Sequence, residues 1–195
     1  WKSYFSYDTR TDRPVFGYNN VFRTHAGQLA EIKRLGVERM ANAPTLIGEC
    51  GIPYDMQHMD KSSRGGYGKC GNVLGAPDPS FDPQLAAMDH TLRCLEKNML
   101  SFTLWNYTPD NSNEEGDRWN GEDLSIYSEE QRSGLDEADP LFVYDGLRAA
   151  RAFVRPHARR VAGTPLENAF DMRRGAFTFR GRSVGEKKWE TPTEI

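Results

Sequence analysis

Pro44-Thr45-Leu46-Ile47-Gly48-Glu49-Cys50-Gly51-Ile52-Pro53-Tyr54-Asp55-Met56 decides how this chain is read. Pro44 to Ile47 is a short apolar run, partly β-branched and closed by Gly48, the pattern of a buried parallel strand whose carboxyl end opens onto a loop. The run predicts a strand over 44–48. Glu49 then follows it, with Gly48 and Gly51 on either side of Glu49-Cys50. A carboxylate beside a buried strand needs partners or a wet cleft, and in α/β barrels the chemistry gathers at that end of the strands. Glu49 is therefore a candidate catalytic carboxylate. The plain alternative is a Glu that ends a strand and pairs with an Arg.

Moving outward, Thr24 is placed to cap a helix in which Leu29, Ile32, Gly36 and Met40 recur at three and four residues. After the strand comes a polar connection with Gly65, Gly66, Gly68, Gly71 and Gly75, long enough to carry a function. A second helix is signalled by Asp82 as cap, Pro83 in the first turn and Leu85, Met88, Leu92, Leu95 and Met99 on one face. That stripe reads as core. Leu100 to Tyr107 has the aromatic and β-branched content of a second strand and ends in the turn signal Thr108-Pro109-Asp110-Asn111. A last helix is expected over 144–155, followed by short strands at 169–172 and 176–179 around Arg173-Arg174-Gly175. Helix, strand, loop, repeated in this order, is the signature of a parallel α/β layer.

The 195 residues carry a formal net charge of -3, a pI near 5.9 and a mean hydropathy of -0.72. These values describe a soluble chain with no pull toward nucleic acid, and no apolar run reaches the roughly 20 residues that span a bilayer. Charge is uneven: residues 141–195 hold 11 basic against 6 acidic side chains, so the first 140 residues are net acidic. The shift, with Pro156 and Gly163-Thr164-Pro165, marks a boundary near 156–165. Residue 1 is Trp, and neither a start nor a signal peptide is legible, so more chain is expected upstream. Cys50, Cys70 and Cys94 are odd in number and lack metal spacing, which implies small buried thiols.

Trp105 falls near the end of the second strand, where a flat aromatic face suits the C–H face of a sugar; a core Trp is the alternative. The loop beyond it is acidic, with 11 acids from Pro109 to Asp139. A calcium hand counted from Asp110 places Gly at position seven and Gly121 at position twelve, so that register fails. Asn106-Tyr107-Thr108 matches a glycosylation acceptor by chance, at a strand end followed by Pro109. His25, His58, His90 and His157 are scattered, with no pair at metal-binding spacing and no nucleophile elbow, so no metal is assigned. Arg148, Arg151, Arg155 and Arg159 lie along one side of the expected last helix, where a solvated helix end is favoured over a nucleic-acid face.

Taken in order, Ile47-Gly48-Glu49-Cys50-Gly51, Phe102-Thr103-Leu104-Trp105-Asn106-Tyr107 and Gly116-Asp117-Arg118-Trp119-Asn120-Gly121-Glu122-Asp123 resemble glycoside hydrolase family 5, and within it the endoglycoceramidase-related branch of fungal glucosylceramidases and steryl β-glucosidases. The resemblance runs from about Phe22 to Phe179. It implies an α/β fold, the C-terminal part of a (β/α)8 TIM barrel over 1–157 with strands seven and eight at 44–48 and 100–107, and the beginning of a C-terminal β-sandwich over 158–195. It implies a retaining β-glycosidase acting on glucosylceramide or steryl glucoside, with Glu49 as nucleophile and Trp105, Asn106 and Tyr107 at the substrate. The second carboxylate of such an enzyme belongs to a barrel segment that would precede Trp1, so the fragment alone is expected to be inactive. No cofactor is implied. The expected partners are a glycolipid or oligosaccharide and, transiently, a membrane surface. Cytoplasmic, vacuolar and secreted locations all remain open, and a non-catalytic carbohydrate- or lipid-surface-binding protein is the competing reading.

Overall fold

The computed structural model describes residues 5–55, 82–112 and 114–183, with the side chain of Asp82 outside that set. The Gly-rich connection, Cys70, His58 and the capping side chain of Asp82 therefore lie outside the described residues. In chain order the elements are β1 (Phe5–Asp8), β2 (Arg13–Phe16), α1 (Tyr18–Arg39), β3 (Leu46–Cys50), α2 (Asp82–Lys97), β4 (Ser101–Leu104), α3 (Ala150–Phe153), β5 (Thr164–Asp171) and β6 (Ala176–Arg182). They divide between two compact units, one built from Trp1–Ile47, Asp89–Phe102 and Arg151–Ile195, the other from Gly48–Met88 and Thr103–Ala150.

In the first unit β1 and β2 form an antiparallel hairpin with Phe5 opposite Phe16. Gly17, at φ 84°, turns the chain directly into α1, a conformation that suits glycine. The helix thus starts six residues before Thr24, which lies inside it. Its buried face also differs from the expected stripe. Val21 and Ala26 are buried, whereas Ile32 and Met40 are exposed, because the C-terminal half of α2 covers the front of α1. Asn98 Nδ2 donates to the Ala26 carbonyl (3.0 Å) and Lys33 Nζ to the Asn98 carbonyl (2.7 Å). On α2 the centre of the predicted stripe, Met88, Leu92 and Leu95, is buried, while Leu85 is only partly so and Met99 lies beyond the helix end.

His90 joins that stripe, 1% exposed. The rings of Tyr18, Phe22 and His25 meet it edge-on, at 5.4, 5.7 and 5.1 Å between centroids. Burial, then the neighbouring His25 and Arg93, push its pKa down to about 4. Because the folded value is below the unfolded one, the unfolded chain takes up the proton first. The stabilisation is therefore complete above pH about 6.5 and is lost as pH falls toward 4, by about 3 kcal/mol in all. An NMR titration should find the His90 ring still uncharged at pH about 5; a midpoint in the ordinary histidine range would refute this.

Of the arginine stripe, Arg151 and Arg159 are exposed as expected, whereas Arg148 and Arg155 are drawn into ion pairs. The expected helix over 144–155 is reduced to the single turn of α3, since Gly146 (φ 88°) and Ala149 (φ 53°) break it. In the second unit, Leu147 pairs with Tyr127, and the Arg148 N–H donates to the Ile126 carbonyl (2.7 Å). In the first unit the Arg155 side chain, 5% exposed, bridges Asp89 (2.6 Å) and Glu96 (3.0 Å) and covers the Phe170 ring at 5.1 Å. Burial raises the Glu96 pKa against the pull of Arg155. The two strands expected near 169–172 and 176–179 are present but longer, as β5 and β6 pair antiparallel from Thr164 opposite Arg182 to Asp171 opposite Ala176.

Candidate active site

β3 and β4 are hydrogen-bonded neighbours. The Thr103 hydroxyl donates to the Gly48 carbonyl and the Trp105 N–H to the Cys50 carbonyl (2.9 Å). The contacts advance along both strands together, which makes the pair parallel. Both strands differ from their expected bounds. β3 runs two residues further, so Glu49 stands within it, and β4 stops at Leu104, leaving Trp105 just past its end. β4 ends early because Asn106 turns to the following loop, where its N–H donates to the Leu124 carbonyl (3.2 Å) and its carbonyl accepts from Ile126 N–H (2.9 Å). Nor is β3 a buried strand: Leu46 is 59% exposed and Glu49 is exposed, while Cys50 is buried. Among the described residues β4 is its one strand partner, so its other edge is uncovered.

Glu49 and Trp105 therefore sit at the carboxyl ends of adjacent parallel strands, with Glu49 one residue before the Cys50 carbonyl that accepts the Trp105 N–H. Trp105 is 37% exposed, so its indole is half open to solvent, and the Trp105–Asn106 peptide is cis. Gly51 enforces the closeness of the strands: a Cβ there would stand 2.0 Å from the Trp105 carbonyl oxygen. Gly51→Ala should consequently displace Trp105, visible as altered tryptophan fluorescence, with a stability loss of roughly 1–3 kcal/mol by denaturant titration. Unchanged fluorescence and stability would mean that the two backbones part without strain.

Asn106 and Tyr107 also make contacts within the following loop. Asn106 Nδ2 donates to Asp117 Oδ2 (3.1 Å), and the exposed Tyr107 ring leans on Tyr127 at 5.5 Å between centroids.

The acidic loop after Trp105 is built round two buried carboxylates that sequence reasoning passed over. Asp117 accepts from Asn106 and Asn111 side chains and from the Leu124 (2.9 Å) and Ser125 (3.1 Å) backbone N–H groups. Asp123 accepts from Asn111 Nδ2 (3.0 Å) and takes both Arg148 guanidinium nitrogens, at 2.6 and 3.1 Å. The Tyr54 ring lies 4.0 Å from the Arg148 guanidinium carbon, and its hydroxyl donates to the Arg148 carbonyl (2.9 Å). Burial pushes the Tyr54 phenol well above its ordinary pKa. Acid-rich composition hinted at this loop, but the signal did not separate the two buried acids from their exposed neighbours. Asp117→Asn would turn an amide N–H₂ toward donors already aimed at the carboxylate, destabilising by about 2–3 kcal/mol in urea titration; wild-type stability would show the loop is held otherwise.

Two of the histidines, His25 and His90, are neighbours in space. Within the first unit His25 Nδ1 lies 3.0 Å from His90 Nε2, a proximity that the separation of α1 and α2 in the sequence conceals.

Comparison with known proteins places this geometry. Residues 155–195 match the glycoside hydrolase family 5 C-terminal domain. A glucosylceramidase of Rhizopus delemar is 34% identical over 188 residues, 92% of this chain and 25% of the relative. An ergosteryl-beta-glucosidase of Saccharomyces cerevisiae is 33% identical over 119 residues, 60% of this chain and 14% of the relative. The crystal structure of Cryptococcus neoformans sterylglucosidase 1 with tris aligns with a TM-score of 0.78 at 31% identity, covering 95% of this chain and 26% of that one. The chain thus spans at most about a quarter of the length of these relatives. Residues 155–195 thus belong to the glycoside hydrolase family 5 C-terminal domain, and along most of its length the chain is similar to a glucosylceramidase and a sterylglucosidase.

Proposed function

We propose that this chain is the C-terminal part of a retaining β-glycosidase that hydrolyses the O-glycosidic bond of a glucosylated lipid, glucosylceramide or steryl glucoside. In this reading β3 and β4 are the seventh and eighth strands of a (β/α)8 barrel over residues 1–157, and the β5–β6 hairpin begins a C-terminal β-sandwich over 158–195. The observation that carries it is the Trp105 N–H to Cys50 carbonyl hydrogen bond (2.9 Å), which joins the carboxylate strand to the indole strand where both open. The exposed first strand residue Leu46 supports a further strand beside β3.

A Glu49 carboxylate oxygen attacks the anomeric carbon as the bond to the lipid oxygen breaks, giving a glycosyl ester that water then cleaves. Protonating the departing oxygen and deprotonating the water fall to a second carboxylate about 5 Å away, which this reading assigns to a barrel segment outside residues 1–195. The indole of Trp105 underlies the sugar ring. The exposed aromatic rings of Tyr107 and Trp119 support transient contact with a lipid surface. No helix among the described residues is long and apolar enough to cross a membrane.

The test is to assay the full-length gene product on fluorescent glucosylceramide and steryl glucoside and to trap it with a 2-deoxy-2-fluoroglucoside. Turnover with the label mapped to Glu49 is the expected result. A label on another carboxylate would overturn the nucleophile assignment, and sugar-lipid binding without turnover would favour a non-catalytic binding protein.

A further inference from the structure

α1 and α2 bring three metal-ligand side chains of the first unit together. His25, His90 and Cys94 each offer one ligand atom, and these atoms all lie within 4.8 Å of one another. We propose that His25, His90 and Cys94 form a binding site for a borderline-soft divalent ion, zinc first among them.

The donor set carries the choice of ion. Two imidazoles and a thiolate select zinc and its neighbours over magnesium or calcium, which take oxygen. His90 and Cys94 are four residues apart on α2, so they lie on one helix face, and α1 supplies His25 opposite them. Such a triad leaves a fourth tetrahedral position for a solvent molecule. Both α2 ligands are buried, while His25 is only partly so, which leaves an approach from the α1 side.

Two further observations favour a ligand over a plain core cluster. The Nδ1 atom of His90 is buried and has no hydrogen-bond partner, although buried polar atoms are seldom left so. His25 Nε2 lies 2.7 Å from the Ser6 hydroxyl, the kind of second contact that orients a metal-binding imidazole. Arg93 and Lys97 stand near Phe22 beside the site, and Cys94 Sγ donates to the Phe22 carbonyl at 3.8 Å. Binding therefore replaces the S–H bond by a metal–sulfur bond and releases one proton to solvent; no electron is transferred.

The test is titration of the chelator-treated full chain with Co²⁺, then Zn²⁺. The expected result is one ion per chain, with the visible bands of tetrahedral cobalt and a near-ultraviolet sulfur-to-cobalt band, both displaced by Zn²⁺. Cys94→Ser should lose the sulfur band, His25→Asn should bind at least roughly tenfold more weakly, and Cys70→Ser should match wild type. Should Cys94→Ser fail to fold, X-ray absorption of the wild-type zinc form decides, with one sulfur at about 2.3 Å and nitrogens at about 2.0 Å expected. Absence of stoichiometric binding, a shell without sulfur, a sulfur band that survives in folded Cys94→Ser, or one lost in Cys70→Ser would overturn the proposal.

Discussion

Glu49→Gln is expected to lower kcat on glucosylceramide or steryl glucoside by roughly four orders of magnitude or more in the assembled enzyme, with little change in KM. The amide keeps the size of the side chain and its capacity to hydrogen-bond the sugar, so ground-state binding persists. What it loses is the charged oxygen that forms the glycosyl ester and offsets the positive charge growing on the ring carbon. Because Glu49 is exposed, the substitution should leave stability within about 0.5 kcal/mol of wild type. Loss of activity in a fully folded variant is thus attributable to chemistry. Steady-state kinetics beside thermal unfolding make the measurement, and near wild-type turnover in folded Glu49→Gln would end the nucleophile assignment.

The largest structural effect is expected at Arg148. Arg148 and Asp123 are each 1% exposed as side chains and meet through two hydrogen bonds, and Arg148 Nε donates again to the Ser125 carbonyl (3.0 Å). Arg148→Met leaves Asp123 charged, buried and short of its main partner, a loss of about 3–5 kcal/mol. That is a large share of the 5–15 kcal/mol that holds a typical domain together. Asp123→Asn should cost less, because the amide oxygen still accepts from Arg148. The double substitution Arg148→Met with Asp123→Leu removes both charges and should recover much of the loss. Denaturant titration of the four proteins gives the coupling. If Arg148→Met is as stable as wild type, the pair does not organise the loop.

Several features were legible because local periodicity carries them. Met88, Leu92 and Leu95 recur with the helical repeat, and an apolar stripe at that spacing favours turning one face to the core. The β5–β6 hairpin was readable from alternating residues about Arg173-Arg174-Gly175, since a turn joins strands adjacent in sequence. The parallel strands were found, but their ends were not. Glu49 and Trp105 each moved across a strand boundary, because termination depends on which carbonyl the next N–H reaches, and the Leu124 carbonyl that receives Asn106 is remote in sequence.

The charged stripe shows the limit more sharply. Arg148 and Arg155 have helical spacing and a basic neighbourhood, and nothing local distinguishes them from solvated side chains. Asp123 claims the first; Asp89 and Glu96 claim the second. Likewise His25 and His90 are separated by most of α1, β3 and the following connection, so no spacing rule could pair them.

The order of residues alone determined the α/β character of the chain, most of the buried face of α2 and the family likeness, and it singled out Glu49 and Trp105, on which the proposed glycosidase depends. Tertiary structure alone decided that those two strands are hydrogen-bonded neighbours, that Asp117 and Asp123 hold the acidic loop, and that two imidazoles and a thiol converge between α1 and α2. The physical reason is range: periodicity and turn chemistry act over a few residues, whereas a buried charge or a metal-ligand cluster is defined by groups that only the folded chain brings within a few ångströms.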